Sequence, residues 1–280
     1  MAPLAAAALQ MTSAIEAAQN LTTVERLAAR AVDAGARYVL TPEVTLNFAG
    51  DVEMLRRVAT PEAARAGINA LSALARRHSI FLHLGSLAVP LPTGKFANRS
   101  ILFGPDGRTI AQYDKIHLFD ADIGGDRPYR ESQTYQAGEE AVLARLPDFT
   151  LGMTVCYDVR FPGLFTRLAT AGATLFAIPA AFTVPTGEAH WATLVRARAI
   201  ETGSFVVASA QSGTHENGRR TWGHSMIVDP WGRVLVESAA GGEDVIVATL
   251  DPEAVASARR EVPNLANMRG FSLSINQDLS

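Results

Sequence analysis

Residues 34–43 read AGARYVLTPE, and residues 171–180 read AGATLFAIPA. Each stretch follows a helical pattern that contains Arg-Leu-Ala, at 26–28 and at 167–169. Each then continues with a glycine-containing turn, a run of apolar residues and a proline. The two stretches are copies of one unit, a helix followed by a buried strand. They predict an α/β domain with two related halves.

Two hairpin signals repeat in the same way. Residues 104–108 read GPDGR and residues 229–233 read DPWGR, and apolar runs typical of strands flank both. Strands and helices alternate in each half, so the simplest architecture is two mixed sheets covered by helices. The longest irregular stretch, 120–138, is expected to border the functional site, because loops on a rigid scaffold carry chemistry.

The periodicity of the apolar residues predicts where the elements lie. Strands are predicted near residues 3–11, 37–42, 80–88, 98–104, 109–113, 150–156, 174–179, 204–210, 223–229, 232–237 and 244–249. Helices are predicted near residues 14–34, 62–78, 163–171, 188–202 and 252–260.

The composition is typical of one globular domain that spans residues 1–280. Of the 280 residues, 48% are hydrophobic and 19% are charged, which fits a single large core. The net charge is −3, and no basic stretch is available for phosphate backbones or anionic lipid. Neither nucleic acid nor a membrane is therefore expected as a partner. The apolar residues 2–9 are interpreted as a buried first strand and not as a signal peptide.

Cys156 is the single cysteine of the chain. No internal disulfide can form, so a reducing compartment, the cytoplasm, is the expected location. Cys156 lies where the apolar run 151–155 gives way to polar residues, at the carboxyl end of a predicted strand. Ligands of α/β domains bind at that end of the strands, which favours a nucleophile. A free cysteine is also commonly a small buried hydrophobe, and position alone leaves that alternative open.

Three further side chains could support a nucleophilic thiol. Glu43 ends the first repeated unit where the second has Ala180; a carboxylate there can accept the thiol proton or simply cap the turn. Lys115 is one of two lysines among 25 basic residues. Its ammonium can hold a thiolate and stabilise an oxyanion, or form a structural salt bridge. Glu131, taken alone, is typical of a solvated loop glutamate.

Five stretches together resemble the carbon–nitrogen hydrolase family, also called the nitrilase superfamily. They are TPE (41–43), YDKIHLFD (113–120), RESQTYQAG (130–138), GMTVCYDVRFP (152–162) and AHWATLVRARAIETGSFVVASAQ (189–211). The resemblance implies an α-β-β-α sandwich of two mixed sheets. It also implies a homodimer or a higher homo-oligomer, and neither a metal nor an organic cofactor.

The resemblance further implies a Glu-Lys-Cys triad, which falls on Glu43, Lys115 and Cys156. It implies that a second glutamate, Glu131, orients the lysine and the substrate. The reaction is then hydrolysis of an amide through a thioester on the cysteine. Lys115 and the backbone N–H of Tyr157 are the expected donors to the oxyanion.

The residues after Cys156 are Tyr and Asp, where true nitrilases have Trp and Glu, so the resemblance favours the amidase branch. Within that branch, residues 196–232 favour deaminated glutathione as the substrate, cleaved to 2-oxoglutarate and cysteinylglycine. The alternatives are 2-oxoglutaramate, which is the ω-amidase substrate, and another carbon–nitrogen compound such as an N-carbamoyl compound or an aliphatic amide. Both 2-oxoglutarate-forming substrates carry a carboxylate and need a cation in the pocket.

Four residues are candidates for the wall of the substrate pocket: Phe48, Arg160, Phe182 and Thr186. Arg160 could face a substrate carboxylate, or it could pair with Asp158 to fix the turn after the cysteine. The structural pairing is the preferred interpretation.

Two other classes of function remain as alternatives. Histidines such as His117 and His224 could pair with Cys156 in a thiol hydrolase of the Cys-His type, although no peptidase signature surrounds the cysteine. A catalytically silent scaffold is the third class, because function follows sites and not folds. No paired Cys or His spacing indicates a metal site. The tail 264–280 has more apolar residues than a disordered end usually has, and it is predicted to lie at an oligomer interface.

Overall fold

The computed structural model describes residues 2–123 and 129–275. Its strands are β1 (Leu4–Gln10), β2 (Tyr38–Leu40), β3 (Phe81–Pro90), β4 (Phe96–Phe103), β5 (Thr109–Asp114), β6 (Asp120–Ala121), β7 (Tyr129–Arg130), β8 (Leu143–Leu146), β9 (Phe149–Met153), β10 (Leu175–Ala180), β11 (Phe205–Ala210), β12 (Ser212–Thr214), β13 (Arg220–Trp222), β14 (Met226–Val228), β15 (Val234–Glu237) and β16 (Asp244–Leu250). Its helices are α1 (Ala17–Asp33), α2 (Val52–Val58), α3 (Pro61–His78), α4 (Glu131–Thr134), α5 (Pro162–Thr170), α6 (Val184–Thr202), α7 (Pro252–Glu261) and α8 (Asn264–Asn267), and a 3₁₀ helix spans Cys156–Arg160.

Two mixed sheets of six described strands each form the centre of the fold. The first sheet has the order β16-β1-β2-β3-β4-β5, and the second has the order β15-β14-β11-β10-β9-β8. In the first, β1, β2 and β3 are parallel and the other pairings are antiparallel. In the second, β9, β10 and β11 are parallel and the other pairings are antiparallel. The sheets therefore match strand for strand, which confirms the two related halves.

The repeated stretches lie at equivalent places in the two sheets. β2, from the first copy, and β10, from the second, are each the middle strand of a parallel trio. The two hairpin signals likewise connect β4 to β5 and β14 to β15, at the outer end of each sheet.

The side chains of the first sheet alternate between two apolar layers. Ala6 and Ala8 of β1 belong to the core shared with the second sheet. Ala7 and Leu9 belong to the core under α1 and α3. Because successive side chains of a strand point to opposite faces, a strand buried on both faces is a continuous apolar run, as residues 4–9 of β1 are. Helices α5 and α6 pack on the second sheet, so the fold is the expected α-β-β-α sandwich.

Several predicted bounds were wrong. The strand predicted over 150–156 ends at Met153, because the chain turns into the 3₁₀ helix that begins with Cys156. The helix predicted over 188–202 begins at Val184, where a proline in the first turn supplies the start signal. Helix α2 was not predicted, although Asp51 caps it by accepting a hydrogen bond from the N–H of Met54 at 2.8 Å.

The irregular stretch 120–138 contains β6, β7 and α4, and its residues 124–128 lie outside the described residues. At the other end of the chain, the described part of the tail carries exposed apolar side chains, Phe271, Leu273 and Ile275. Its residues 276–280 also lie outside the described residues. Among the residues that are described, no helix has the length and apolar character needed to cross a bilayer.

A tight approach at Gly85 fixes the loop that follows β2. A Cβ at Gly85 would lie 2.1 Å from the carbonyl oxygen of Thr41 and 2.3 Å from that of Pro42. Next to it, Ser86 accepts hydrogen bonds from the N–H groups of Val44, at 2.9 Å, and Thr45, at 2.9 Å. The loop that carries residue 43 therefore rests directly on the backbone of β3.

We predict that Gly85→Ala destabilises the protein by roughly 1–3 kcal/mol, because the new methyl group must displace backbone. Urea unfolding measures this free energy. Gly163→Ala is the control, because a Cβ there meets no atom within 4 Å and the residue lies in the first turn of α5; it should be neutral or slightly stabilising. Equal unfolding curves for wild type and Gly85→Ala would contradict the close approach.

Candidate active site

A buried ammonium holds two carboxylates together at the ends of the strands. The Lys115 Nζ lies 2.8 Å from Glu43 Oε1, and 2.8 Å and 3.0 Å from the two carboxylate oxygens of Glu131. The Lys115 side chain is only 2% exposed. The structure therefore brings together the three charged residues that the sequence singled out.

Different elements position these side chains. Glu43 follows β2, Lys115 follows β5 and Glu131 begins α4. The backbone of Lys115 donates to Asn98 O at 3.0 Å and accepts from Gly138 N at 2.9 Å, which fixes its place between two segments. The Glu131 carboxylate also accepts from the N–H of Phe119 at 2.6 Å.

Asn98 is a site residue that the sequence reasoning missed. Its Nδ2 donates to Glu43 Oε1 at 2.9 Å and to Glu131 Oε1 at 3.2 Å, so it bridges both carboxylates from β4. Asn98 is 2% exposed, and its Oδ1 has no hydrogen-bond partner among the described residues. The available signal was a polar run, Asn98 to Ser100, in the middle of the strand FANRSILF, whose ends are apolar.

Cys156 lies at a strained backbone position. Its φ is +50°, and Val44, next to Glu43, has φ +48°. Non-glycine residues rarely adopt this left-handed region, and a β-branched valine least of all, so the surrounding contacts must impose both conformations. Both strained residues, Val44 and Cys156, therefore lie at the same site.

Asp158 fixes the turn at Cys156. It is fully buried and accepts hydrogen bonds from the N–H of Val155 at 2.8 Å, from the Tyr113 hydroxyl at 2.6 Å and from His117 Nδ1 at 2.7 Å. The expected pair of Asp158 with Arg160 was therefore wrong. With the backbone N–H of His117 at 3.1 Å, four donors converge on Asp158, and they satisfy a buried carboxylate better than one guanidinium would.

The electrostatics of the cluster keep Cys156 protonated at rest. Burial raises the pKa of the Cys156 thiol well above its ordinary value, and the charge of Glu43 and a hydrogen bond with it raise it further. Lys115 and a hydrogen bond from the backbone of Ala181 lower it, but less. The raised pKa of Cys156 favours a resting thiol over the thiolate that Lys115 could hold.

Lys115 itself stays cationic. Burial lowers the pKa of its ammonium, but the charges of Glu131 and Glu43 outweigh burial and raise this pKa well above its ordinary value. A cation that never loses its proton at neutral pH cannot act as the base of the site. It can stabilise negative charge that forms beside it.

These residues open into a cavity of about 460 Å³. Glu43, Lys115, Glu131 and Cys156 all line it. Its other walls are formed by residues within 44–55, by Phe119, by residues within 129–135, and by Asn98, Ala181 and Arg219. The irregular stretch therefore borders the site, as predicted.

Of the four predicted wall residues, the described structure places Phe48 in the cavity wall and leaves Arg160, Phe182 and Thr186 outside it. The Arg160 guanidinium lies over the rings of Phe182, at 5.3 Å, and Tyr157, at 5.9 Å. Thr186 hydrogen-bonds to the hydroxyl of Thr183 at 2.8 Å.

The histidines face other partners. His117 binds Asp158 and stacks on Phe161 with the ring centroids 3.7 Å apart. His224 binds Glu237 at 2.8 Å. Neither lines the cavity within the described residues, so nothing in the geometry favours a Cys-His pair. In residues 2–123 and 129–275, no group of three or more His, Cys, Asp or Glu side chains is arranged to hold a metal ion.

Comparison with known proteins places this fold and site. A model of the carbon-nitrogen hydrolase family matches residues 5–260. The deaminated glutathione amidase of Yersinia enterocolitica is 38% identical over 269 residues, which cover 95% of this chain and 93% of that protein.

Two solved structures extend the comparison. The C. elegans NitFhit protein gives a TM-score of 0.87 at 35% identity, covering 95% of this chain and 65% of that one, so this chain spans less than two thirds of NitFhit. A variant of the amidase from Nesterenkonia sp. AN1, with acrylamide added to its active-site cysteine, gives 0.78 at 26% identity, covering 93% of this chain and 98% of that one. The chain belongs to the carbon–nitrogen hydrolase family. It is a hydrolase that acts on carbon–nitrogen bonds.

The raised pKa of Cys156 predicts a titration that the single cysteine makes easy to observe. Thiolate ultraviolet absorbance should be absent at neutral pH and appear only well into the alkaline range. Glu43→Gln removes a negative charge beside the sulfur, so the absorbance should then appear at lower pH even if activity falls.

Two controls define the result. Cys156→Ser should show no thiolate signal, and Glu139→Gln, an exposed carboxylate, should leave the wild-type curve unchanged. A wild-type thiolate signal already complete at neutral pH would show that Lys115 dominates the environment of the thiol.

Proposed function

We propose that this protein is a cysteine-dependent amidase that hydrolyses deaminated glutathione to 2-oxoglutarate and cysteinylglycine. The carrying observation is the cluster of Glu43, Lys115 and Glu131 beside the thiol of Cys156 in one cavity. Such a cluster supplies a proton acceptor, an oxyanion donor and a nucleophile for acyl transfer. The choice of substrate is supported by the relatives named deaminated glutathione amidase.

In the first half of the proposed reaction, the Glu43 carboxylate takes the proton of the Cys156 thiol as the sulfur attacks the amide carbonyl. The carbonyl oxygen becomes an oxyanion, which the Lys115 ammonium stabilises together with the backbone N–H of Tyr157. The carbon–nitrogen bond then breaks, and Glu43 returns the proton to the leaving amine. The acyl group remains on Cys156 as a thioester.

In the second half, Glu43 accepts a proton from a water molecule that attacks the thioester carbonyl. The carbon–sulfur bond breaks, the acid leaves, and the proton returns to the sulfur. Glu131 acts through Lys115, because it accepts from the ammonium with both of its carboxylate oxygens. Asn98 assists in the same way by bridging the two glutamates.

A resting thiol suits this sequence of steps. Because burial and Glu43 raise the pKa of Cys156, the sulfur gives up its proton only when a carbonyl carbon is present to receive its electrons. An amide aligned in the cavity is then favoured over solutes that react with any thiolate. The cytoplasm remains the proposed location, since the mechanism needs a reduced thiol.

We predict that Cys156→Ala abolishes hydrolysis of deaminated glutathione, measured as release of 2-oxoglutarate. Its urea unfolding midpoint should stay close to that of wild type, because the change is small.

Wild-type catalytic efficiency on deaminated glutathione should exceed that on 2-oxoglutaramate. Residual turnover in pure Cys156→Ala would rule out the nucleophile, and a preference for 2-oxoglutaramate would make ω-amidase activity the better assignment.

A homo-oligomer built on a dimer is part of the same proposal. Phe271, Leu273 and Ile275 of the tail are 94%, 85% and 76% exposed, and single side chains of this size are costly to leave in water. We propose that the tail, residues 264–280, covers a second copy of the chain.

Replacing Phe271 and Leu273 together by serine should lower the sedimentation coefficient toward that of a smaller assembly. Ile110→Ser is the matched control, because Ile110 is an exposed apolar residue of β5 far along the chain from the tail. An unchanged sedimentation profile in the double variant would place the tail on its own subunit.

A further inference from the structure

A second cation, Arg219, lines the same cavity as the reacting residues. It lies in the turn between β12 and β13 and is half-buried. Its guanidinium carbon lies 5.1 Å from the centre of the Phe48 ring and 5.5 Å from that of Tyr129. Both distances lie within the range of cation–π attraction, so the two rings hold the guanidinium between them.

The position of Arg219 is built from several supporting contacts. The Phe48 ring, which contacts the Arg219 guanidinium, also stacks on the His215 ring, with the ring centroids 3.7 Å apart and the planes nearly parallel. Asn217 donates to the carbonyl of Phe48 at 2.7 Å and accepts from the N–H of Arg219 at 3.0 Å. The loop that carries Arg219 is therefore tied to the loop that begins with Glu43.

The hydrogen bonding of the Arg219 side chain differs from that of the other cations in the cavity wall, Lys115 and Arg130. Within residues 2–123 and 129–275, its guanidinium makes no hydrogen bond or ion pair, although it carries five N–H donors. Arg130, which also lines the cavity, differs because it is paired with Asp122 at 3.1 Å. Among the described residues, Arg219 contacts the faces of two rings, and its N–H groups can therefore donate to a ligand.

A substrate carboxylate needs a cation away from the reacting residues, because those residues carry net negative charge. Glu43 and Glu131 carry two negative charges against the single positive charge of Lys115, so a substrate carboxylate is repelled from that end of the cavity. A guanidinium fork matches a carboxylate with two parallel hydrogen bonds. Arg160, the sequence-level candidate, lies outside this wall.

We propose that Arg219 binds a carboxylate of the amide substrate and thereby selects carboxylate-bearing amides for Cys156. The inference rests on the proposed amidase function. Deaminated glutathione offers this carboxylate from two sources, the keto-acid end of the acyl part and the glycine end of the leaving peptide. Arg219 is a binding and specificity residue and takes no part in bond breaking.

The test is a steady-state comparison of wild type and Arg219→Gln on three amides. These are deaminated glutathione, its analogue with the glycine carboxylate converted to an amide, and an analogue with both carboxylates converted. For deaminated glutathione we expect KM to rise roughly ten- to a hundredfold with kcat nearly unchanged, the effect of losing one charge-assisted pair. For the fully neutral analogue, wild type and variant should have the same KM.

The singly amidated analogue identifies the source. If its KM no longer responds to Arg219→Gln, the glycine carboxylate is the ligand; if it responds fully, the keto-acid carboxylate is. Arg219→Lys keeps the charge and should recover part of the loss. Arg220→Gln, a change at the next, exposed residue outside the cavity wall, should leave all three KM values unchanged.

Equal effects of Arg219→Gln on charged and neutral amides, or no effect on either, would overturn the proposal. The first result would make Arg219 a support for Phe48 alone. If the proposed amidase function itself is wrong, the result differs, because wild type would then hydrolyse none of the three amides. Circular dichroism of Arg219→Gln, matched to wild type, confirms that the variant is folded.

Discussion

The ion cluster around Lys115 is the interaction on which the site depends. A buried ammonium is costly unless it is paired and hydrogen-bonded, and Lys115 meets this condition through Glu43 and Glu131. The two glutamates are 88 residues apart in the chain, counting from 43 to 131, so the cluster forms only when β2, β5 and α4 have assembled. The Lys115 ammonium therefore links the assembly of the fold to the formation of the reactive site.

This coupling explains why the surrounding backbone is strained and closely supported. Val44 and Cys156 both have positive φ, and Gly85, Asn98 and Asp158 hold the segments on which the reacting groups lie. Strained positions persist only where many contacts determine them. The contacts around the cavity keep a protonated thiol, its proton acceptor and a permanent cation in fixed positions before a substrate arrives.

Much of this arrangement follows from local pattern. The repeated units predict two related sheets. Glu43 stands out because the equivalent position of the second unit is Ala180. Asn98 and Arg219 could not be found in this way, because their roles depend on which segments meet in space. The Asp158–Arg160 pair was expected because the two residues are neighbours in sequence, but Tyr113 and His117 arrive from β5 and its following loop and bind Asp158 instead. The bounds of the strand before Cys156 failed for a related reason, since tertiary contacts and not strand propensity set the turn.

In the proposed reaction, one thioester on Cys156 is common to every amide with the same acyl group. The direct test is competition between water and hydroxylamine for that intermediate. Two amides that share an acyl group and differ in the leaving amine, such as deaminated glutathione and 2-oxoglutaramate, should give the same ratio of hydroxamate to acid at each hydroxylamine concentration. A ratio that depends on the leaving amine would show that water and hydroxylamine attack the amide itself, and would contradict the acyl-enzyme account.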